Sequence, residues 1–253
     1  MIVLETVAVA FSMFSAIPMP QFAWNERNMK YSLCAFPLIG AVIALALCGW
    51  EAVCARLALP AVLRGAGLCL LPVLITGGIH LDGYADTCDA LDSHSGQDKR
   101  QEILKDPHLG AFAVIRLCVY FIASFALWTA LPVQRLPVLL GFFCLSRTLS
   151  GLALTLFPLR RGCGLARSFA ERAERKRVRN VLLALSLLLV CLLLRQRAWE
   201  TALAAGLVFL RYRRLCVRDF GGLSGDLAGW FLQTAEFWML FALVARSYGE
   251  AAL

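Results

Sequence analysis

Long apolar stretches separated by short polar connections are the main pattern along this chain. A helix that crosses the hydrocarbon core of a membrane needs about 20 consecutive, mostly apolar residues. Seven stretches approach or exceed that length, and they lie at 33–56, 62–79, 109–131, 136–158, 180–194, 199–215 and 227–246. The pattern predicts an all-α protein, a polytopic membrane helix bundle with about seven transmembrane helices in one domain over 1–253.

The N-terminus adds a shorter apolar stretch at 2–17, which ends in the sequence Ile17-Pro18-Met19-Pro20. It has neither the basic start nor the small-residue cleavage site of a secretory signal peptide. We therefore expect it to remain as an N-terminal apolar helix. It would be a short span, a re-entrant helix or a helix lying in the membrane interface.

The composition favours a membrane protein over a soluble protein with buried helices. Hydrophobic residues make up 60% of the chain and the mean hydropathy is +0.70. The 10 cysteines include no Cys-x-x-Cys pair, and most lie singly in apolar segments. We interpret them as small apolar residues, not as disulfides or zinc ligands.

Basic residues concentrate in three connections, 80–108, 159–179 and 211–226. With seven spans these connections lie on one side of the membrane, and the positive-inside rule makes that side cytoplasmic. The sequence thus predicts a multi-pass protein of a bacterial inner membrane. The basic loop 159–179 either only sets this topology or also attracts a polyanionic substrate.

Candidate chemistry lies in the acidic run after the second stretch. Asp82, Asp86 and Asp89 are spaced i, i+4, i+7 and share one face of a helix. Carboxylates this close repel one another unless a cation or protons neutralise them. A hard divalent cation that also binds substrate phosphates meets this need, so the run predicts a Mg²⁺ site. The neighbouring His80 is predicted to be a ligand or an acid–base group.

Charged residues also fall inside the predicted spans. Arg116, Arg147 and Glu236 lie where lipid would otherwise surround them, and Asp226 precedes the last stretch. Such groups usually face a cavity or a partner. Together with Asp82, Asp86 and Asp89 they predict one polar cavity in which arginines hold phosphate. Structural ion pairs between helices are the alternative.

A glycine-rich segment precedes the last span. The N–H groups of Gly221 and Gly222 are predicted to approach a phosphate, although such turns are common between helices. The segment matches neither a Walker A motif nor a dinucleotide-binding fingerprint. No pair of His and Cys has zinc-ligand spacing.

Two function classes fit these features: a metal-dependent enzyme that handles phosphate, and a cation transporter. A transporter would hold its acidic residues near mid-bilayer on broken helices. Here the acidic run lies at a membrane edge and continues into the polar segment 92–98. The position of the run favours the enzyme. No nucleic-acid partner is predicted.

The chain also resembles a known family, the cobalamin synthases, or adenosylcobinamide-GDP ribazoletransferases. The most specific match is the string from Gly77 to Asp89, which reads GGIHLDGYADTCD. The other matches follow in the same order along the chain: FSAIPMP from Phe14, FPLIG from Phe36, LKDPHLGAF from Leu104, Ser146-Arg147, GGLSGD from Gly221, and Glu236.

The resemblance implies transfer of adenosylcobinamide phosphate from adenosylcobinamide-GDP to α-ribazole or its 5′-phosphate, with release of GMP. It implies that Mg²⁺ is bound by Asp82, Asp86 and Asp89, and that one of these carboxylates or His80 is the base. Other cobamide-assembly enzymes would be partners at the membrane, while the oligomeric state stays open. The implied substrate-binding residues are Lys105, Asp106, Arg116, Arg147, Gly221, Gly222, Asp226 and Glu236.

Overall fold

The computed structural model describes residues 2–160 and 173–251, and within these ranges the chain is helical without a β-sheet. The predicted all-α membrane bundle is confirmed. The described α-helices are α1 Ile2–Phe14, α2 Glu26–Met29, α3 Ser32–Arg56, α4 Ala61–Thr76, α5 Ile79–Asp92, α6 Gln97–Ile103, α7 Ala111–Ala130, α8 Val138–Leu156, α9 Arg175–Arg195, α10 Trp199–Arg218 and α11 Gly225–Ala251, with a 3₁₀ turn at Val133–Arg135.

Five of these helices, α3, α7, α8, α9 and α11, are long and apolar enough to cross a membrane. Counting the bent pair α4 and α5 as one span gives six, compared with seven predicted stretches. The remaining stretch, 199–215, forms α10, whose polar residues Glu200, Arg211, Arg213 and Arg214 keep it below the same threshold. Helix α9 begins at Arg175 and is longer than the stretch 180–194 suggested.

The second predicted span is interrupted by two glycines. Gly77 and Gly78 have φ angles of +65° and +78°, which a residue with a Cβ adopts only at a cost. The chain turns there, so that α4 and α5 lie at 95° to one another. The acidic run therefore lies on a separate helix of 14 residues, which is not one of the five long apolar helices.

Helix α8 forms the centre of the bundle. It packs against α3, α9, α10 and α11, and most of its residues are buried. Helix α3 approaches it closely at Gly40, where an added Cβ would lie 2.4 Å from the carbonyl oxygen of Phe143. By contrast, α7 turns Phe112, Ile115 and Ile122 outward, as expected of a helix that faces lipid.

The N-terminal stretch forms α1, which packs against α3 and leaves Ile2, Val3 and Leu4 exposed. At 13 residues it is too short to cross a bilayer. A re-entrant or interfacial position remains. The central part of the basic loop 159–179, residues 161–172, lies outside the described residues.

Candidate active site

Helix α5 carries the three predicted metal ligands on one face. Asp82 is exposed, and Asp86 and Asp89 are half-buried. Because the helix is continuous from Ile79 to Asp92, the i, i+4, i+7 spacing places the three carboxylates in a row. This spacing brings the charges of Asp82 and Asp89 within electrostatic reach of Asp86. We call Asp82, Asp86 and Asp89 the aspartate row.

A fourth carboxylate reaches the row from α11. The backbones of α5 and α11 touch at two glycines: a Cβ on Gly83 would lie 2.8 Å from the Cα of Asp226, and one on Gly229 would lie 2.7 Å from the carbonyl oxygen of His80. This close crossing places the Asp226 carboxylate within electrostatic reach of Asp82 and Asp86. Asp226, predicted from sequence as a substrate-binding residue, thus lies beside the predicted metal ligands.

The last member of the row rests against another glycine. A Cβ on Gly110, at the start of α7, would lie 2.1 Å from a carboxylate oxygen of Asp89. Only glycine leaves that space for the carboxylate.

The donor set of four carboxylates, with the space left at Gly110, fits a hard cation such as Mg²⁺. Within 2–160 and 173–251, no group of three Asp, Glu, His or Cys side chains is arranged to hold a metal ion. The aspartate side chains would therefore have to rotate to form a complete metal site.

His80 does not belong to this cluster, contrary to the prediction. Two residues before Asp82, it lies on the far side of α5 at about 100° per residue. Its side chain is buried, and its ring centroid lies 5.8 Å from that of Phe36. Its Nε2 atom has no hydrogen-bond partner among the described residues. A base for substrate has to be within hydrogen-bond reach of it, so His80 is a packing residue of the bundle.

Arg147 and Glu236 are not brought to the aspartate row either. Their side chains pair directly with each other in the bundle, and they are 2% and 9% exposed. Ser146 donates a hydrogen bond of 2.7 Å to the same Glu236 carboxylate. Of the two interpretations of these intramembrane charges, the contacts match a structural ion pair and not a phosphate clamp.

The glycine-rich segment forms backbone pairs within the protein. The Gly222 N–H donates to the Cys216 carbonyl oxygen at 2.7 Å, so it is not available to a phosphate. Leu223 then donates to the Pro158 carbonyl oxygen and Arg160 donates to that of Leu223, at 2.8 and 3.0 Å. The prediction for Gly222 is therefore wrong, and its absent side chain instead lets the two segments touch.

Other predicted residues lie nearer the surface. Lys105 and Asp106 are exposed in the connection that leads to Gly110. The backbone N–H and the ring of His108 hold the pKa of the Asp106 carboxyl below its usual range. Arg116 donates two hydrogen bonds, 2.6 and 2.9 Å long, to Asp92, so it is already paired with a carboxylate.

One residue at the site was not predicted. Arg160 is 8% exposed and lies within electrostatic reach of Asp226. Its Nε and Nη1 atoms have no hydrogen-bond partner in the part of the chain that the structure describes. A buried guanidinium with unused donors near Asp226 is suited to bind phosphate oxygens. The sequence presents it only as one of eight basic residues in 159–179.

Comparison with known proteins gives the family. A family model described as cobalamin-5-phosphate synthase matches residues 6–244, nearly the whole chain. The chain belongs to this family. The match extends from α1 into α11, so every residue of the aspartate row and its neighbours lies inside the cobalamin-5-phosphate synthase region.

Similar proteins in three bacteria are all named adenosylcobinamide-GDP ribazoletransferase. The one from Lachnoclostridium phytofermentans is 41% identical over 247 residues, which cover 95% of this chain and 94% of the relative. That from Pseudomonas putida is 36% identical, covering 93% and 96%. That from Clostridium botulinum is 32% identical, covering 92% and 94%. No solved structure matches the chain.

Membership of the cobalamin-5-phosphate synthase family confirms the family resemblance carried by the sequence motifs. The chain is an enzyme, a transferase of cobalamin biosynthesis. Several of its helices are long and apolar, as in a multi-pass membrane protein.

Proposed function

We propose that the chain joins adenosylcobinamide phosphate, taken from adenosylcobinamide-GDP, to α-ribazole or its 5′-phosphate and releases GMP. In this reaction a ribose hydroxyl oxygen forms a bond to the phosphorus next to cobinamide, and the bond from that phosphorus to the GMP oxygen breaks. The observation that carries the proposal is the meeting of Asp82, Asp86, Asp89 and Asp226 beside the unpaired donors of Arg160.

Each of these groups has a role that its chemistry supports. The aspartate row and Asp226 would hold Mg²⁺, which neutralises diphosphate charge when bound. Arg160 would donate its unused N–H groups to the phosphate oxygens, because a guanidinium matches their geometry. A carboxylate of the row would accept the proton of the attacking hydroxyl.

The transporter alternative has less support. The charged pair inside the bundle, Arg147 and Glu236, is closed on itself, so the Glu236 carboxylate is not free to bind an ion. The aspartate row lies on α5, the second helix of the bent pair α4 and α5, and a transporter could also use such a broken span. The unused donors of Arg160 near Asp226 favour the enzyme, because they suit a phosphate and not a cation.

We further propose that the site faces the cytoplasm of a bacterial inner membrane, where nucleotide substrates are present. The support is the excess of basic residues in 80–108, 159–179 and 211–226. Other cobamide-assembly enzymes would deliver the corrinoid at that surface.

The direct test is an assay of the purified protein with adenosylcobinamide-GDP, α-ribazole and Mg²⁺, in which GMP and the cobamide are measured. We expect product to disappear with chelator and to return with Mg²⁺ or Mn²⁺, since both are hard octahedral ions. Asp82→Asn, Asp86→Asn and Asp89→Asn should each lower turnover by about 100-fold or more, because each removes charge stabilisation of the transition state. Near-normal turnover in two of the three would refute the assignment.

Arg160 needs its own comparison. Arg160→Gln should lower kcat/KM for the donor by about 10- to 100-fold, because a charge-assisted hydrogen bond to phosphate is lost. Arg213→Gln is the matched control, since Arg213 is exposed on α10. Equal effects of the two substitutions would show that only overall charge matters.

A further inference from the structure

A cavity of about 630 Å³ lies between α7 and α10, with α5 and α11 as its other walls. Tyr84, Cys88 and Leu91 of α5 line it. At about 100° per residue, these three side chains lie on the side of α5 opposite the aspartate row. The cavity is therefore separated from the proposed reaction site by the body of α5.

One end of the cavity is basic. Arg116, Arg211 and Arg214 line it together with Asp92 and Asp219. Asp92 is paired with Arg116, and Asp219 is paired with Arg100. Arg211 lies over the ring of Trp230, with its guanidinium carbon 5.6 Å from the ring centre. Neither Arg211 nor Arg214 forms an ion pair with any described residue. Two positive charges at this end therefore lack a counter-ion within the described chain.

The rest of the lining is mostly apolar, with Tyr120 and Thr234 as polar members, and part of it is exposed. Val119 of α7 and Trp238 of α11 line the cavity and are 58% and 44% exposed. Both belong to helices long and apolar enough to span a membrane, so their exposed surfaces face hydrocarbon. Along α11, from Trp230 to Trp238, the lining extends about 12 Å at ~1.5 Å per residue.

We propose that this cavity binds one anionic phospholipid from the surrounding membrane. Its phosphate would accept hydrogen bonds from Arg211 and Arg214, and an acyl chain would lie against Val119, Phe237 and Trp238. Basic pockets between membrane helices bind lipid head groups in this way, and a volume of several hundred Å³ is typical of small-molecule sites. The exposure of Val119 and Trp238 on apolar helices suits a molecule already in the bilayer, and the position behind α5 keeps it off the aspartate row.

The test is native mass spectrometry of the full chain in detergent, with phosphatidylglycerol and phosphatidylcholine of identical acyl chains. We expect one phosphatidylglycerol to be retained with at least tenfold lower Kd than phosphatidylcholine. The double variant Arg211→Gln/Arg214→Gln should lose this preference. Arg211→Lys/Arg214→Lys, which keeps the charges, should retain most of it.

The matched control is Arg213→Gln/Arg218→Gln, which removes two exposed arginines of the same helix that do not line the cavity. It should bind phosphatidylglycerol as the wild type does. Equal retention of the two lipids by the wild type would overturn the proposal, and so would an equal loss in the control. If Arg211→Gln/Arg214→Gln does not fold, the proposal is tested instead by competition for the bound phosphatidylglycerol in the wild-type protein.

In that competition, millimolar inorganic phosphate should leave the phosphatidylglycerol bound, because the apolar contacts are specific to a lipid. Displacement by phosphate would identify a simple anion site and overturn the proposal. Displacement by α-ribazole 5′-phosphate or by adenosylcobinamide-GDP would identify a substrate site and also overturn it. The binding measurement needs no turnover, so its failure is distinguishable from failure of the proposed reaction.

Discussion

At the scale of single residues, the buried pair of Arg147 and Glu236 illustrates how costly an isolated charge would be. Both side chains are almost fully buried, and Ser146 bonds to the same carboxylate. Removing one member of such a pair typically costs about 3–5 kcal/mol, because the other stays buried without its partner. Removing both is often tolerated.

We therefore expect Arg147→Met to lower the melting temperature markedly and Arg147→Met/Glu236→Leu to recover much of the loss. Thermal unfolding in detergent can be followed with a dye that reacts with newly exposed thiols, since Cys54, Cys69 and Cys144 are buried. Arg147→Lys should keep KM for the donor close to wild type. A raised KM of Arg147→Lys at unchanged melting temperature would show that Arg147 binds the substrate.

The space left at Gly110 gives a second prediction at this scale. Gly110→Ala would place a methyl group 2.1 Å from a carboxylate oxygen of Asp89, so that carboxylate has to move. We expect turnover to fall by at least tenfold while the protein still inserts and unfolds normally. Gly206→Ala is the control, because nothing lies within 4 Å of that Cβ. Unchanged turnover in Gly110→Ala would show that the position of Asp89 is not critical.

Residue-level prediction from sequence succeeded where geometry is local. The three aspartates of the row lie on a single helix, so their spacing in the sequence was enough to place the carboxylates on one face. Asp226 was expected in the same cavity only from its charge, and Arg160 was not expected there, because only the packing of distant segments brings the two to α5. His80 was misassigned because it stands only two residues before Asp82 in sequence, while its side of the helix faces the core.

At the scale of elements, the crossing of α5 and α11 determines the site. Gly83 and Gly229 allow the two backbones to touch, and each would meet backbone atoms if it carried a Cβ. Backbone atoms do not rotate away as a side chain does, so the helices would have to separate. Overpacking of this kind typically costs about 1–3 kcal/mol.

We expect Gly83→Ala and Gly229→Ala each to lower the melting temperature by several degrees and to lower turnover more than tenfold, because Asp226 would shift away from the aspartate row. Gly249 lies near the C-terminal end of α11, and no atom lies within 4 Å of a Cβ added there. Gly249→Ala should therefore behave as the wild type. Both measurements can be made on the same detergent-purified samples. Normal turnover in both crossing variants would show that Asp226 is not needed beside α5.

Prediction of the elements was limited by one turn. Apolar content identified the long helices, but it extended the second stretch through Gly77 and Gly78 as if the helix were straight. The left-handed backbone of these residues ends α4 and turns the chain by 95° into α5. Hydropathy registers no such change of direction, since it averages over residues.

At the scale of the whole molecule, the proposed orientation is testable by labelling. In a variant without native cysteines, His94→Cys should react with an impermeant thiol reagent only after cells are opened, because 80–108 is expected to be cytoplasmic. Val133→Cys, in the exposed turn between α7 and α8, should react in intact cells. The opposite pattern would reverse the topology and separate the aspartate row from cytoplasmic nucleotides.

The glycine contact between α5 and α11 also affects how accurately the site is held. A junction built from long side chains loses their rotamer entropy on folding and retains several alternative packings. Gly83 and Gly229 contribute no side-chain rotamers, so the spacing between the start of α11 and α5 follows from covalent geometry and van der Waals contact alone. We therefore expect the separation of the two helix axes to vary little, so that the main freedom left at the carboxylate cluster is rotation of the aspartate side chains.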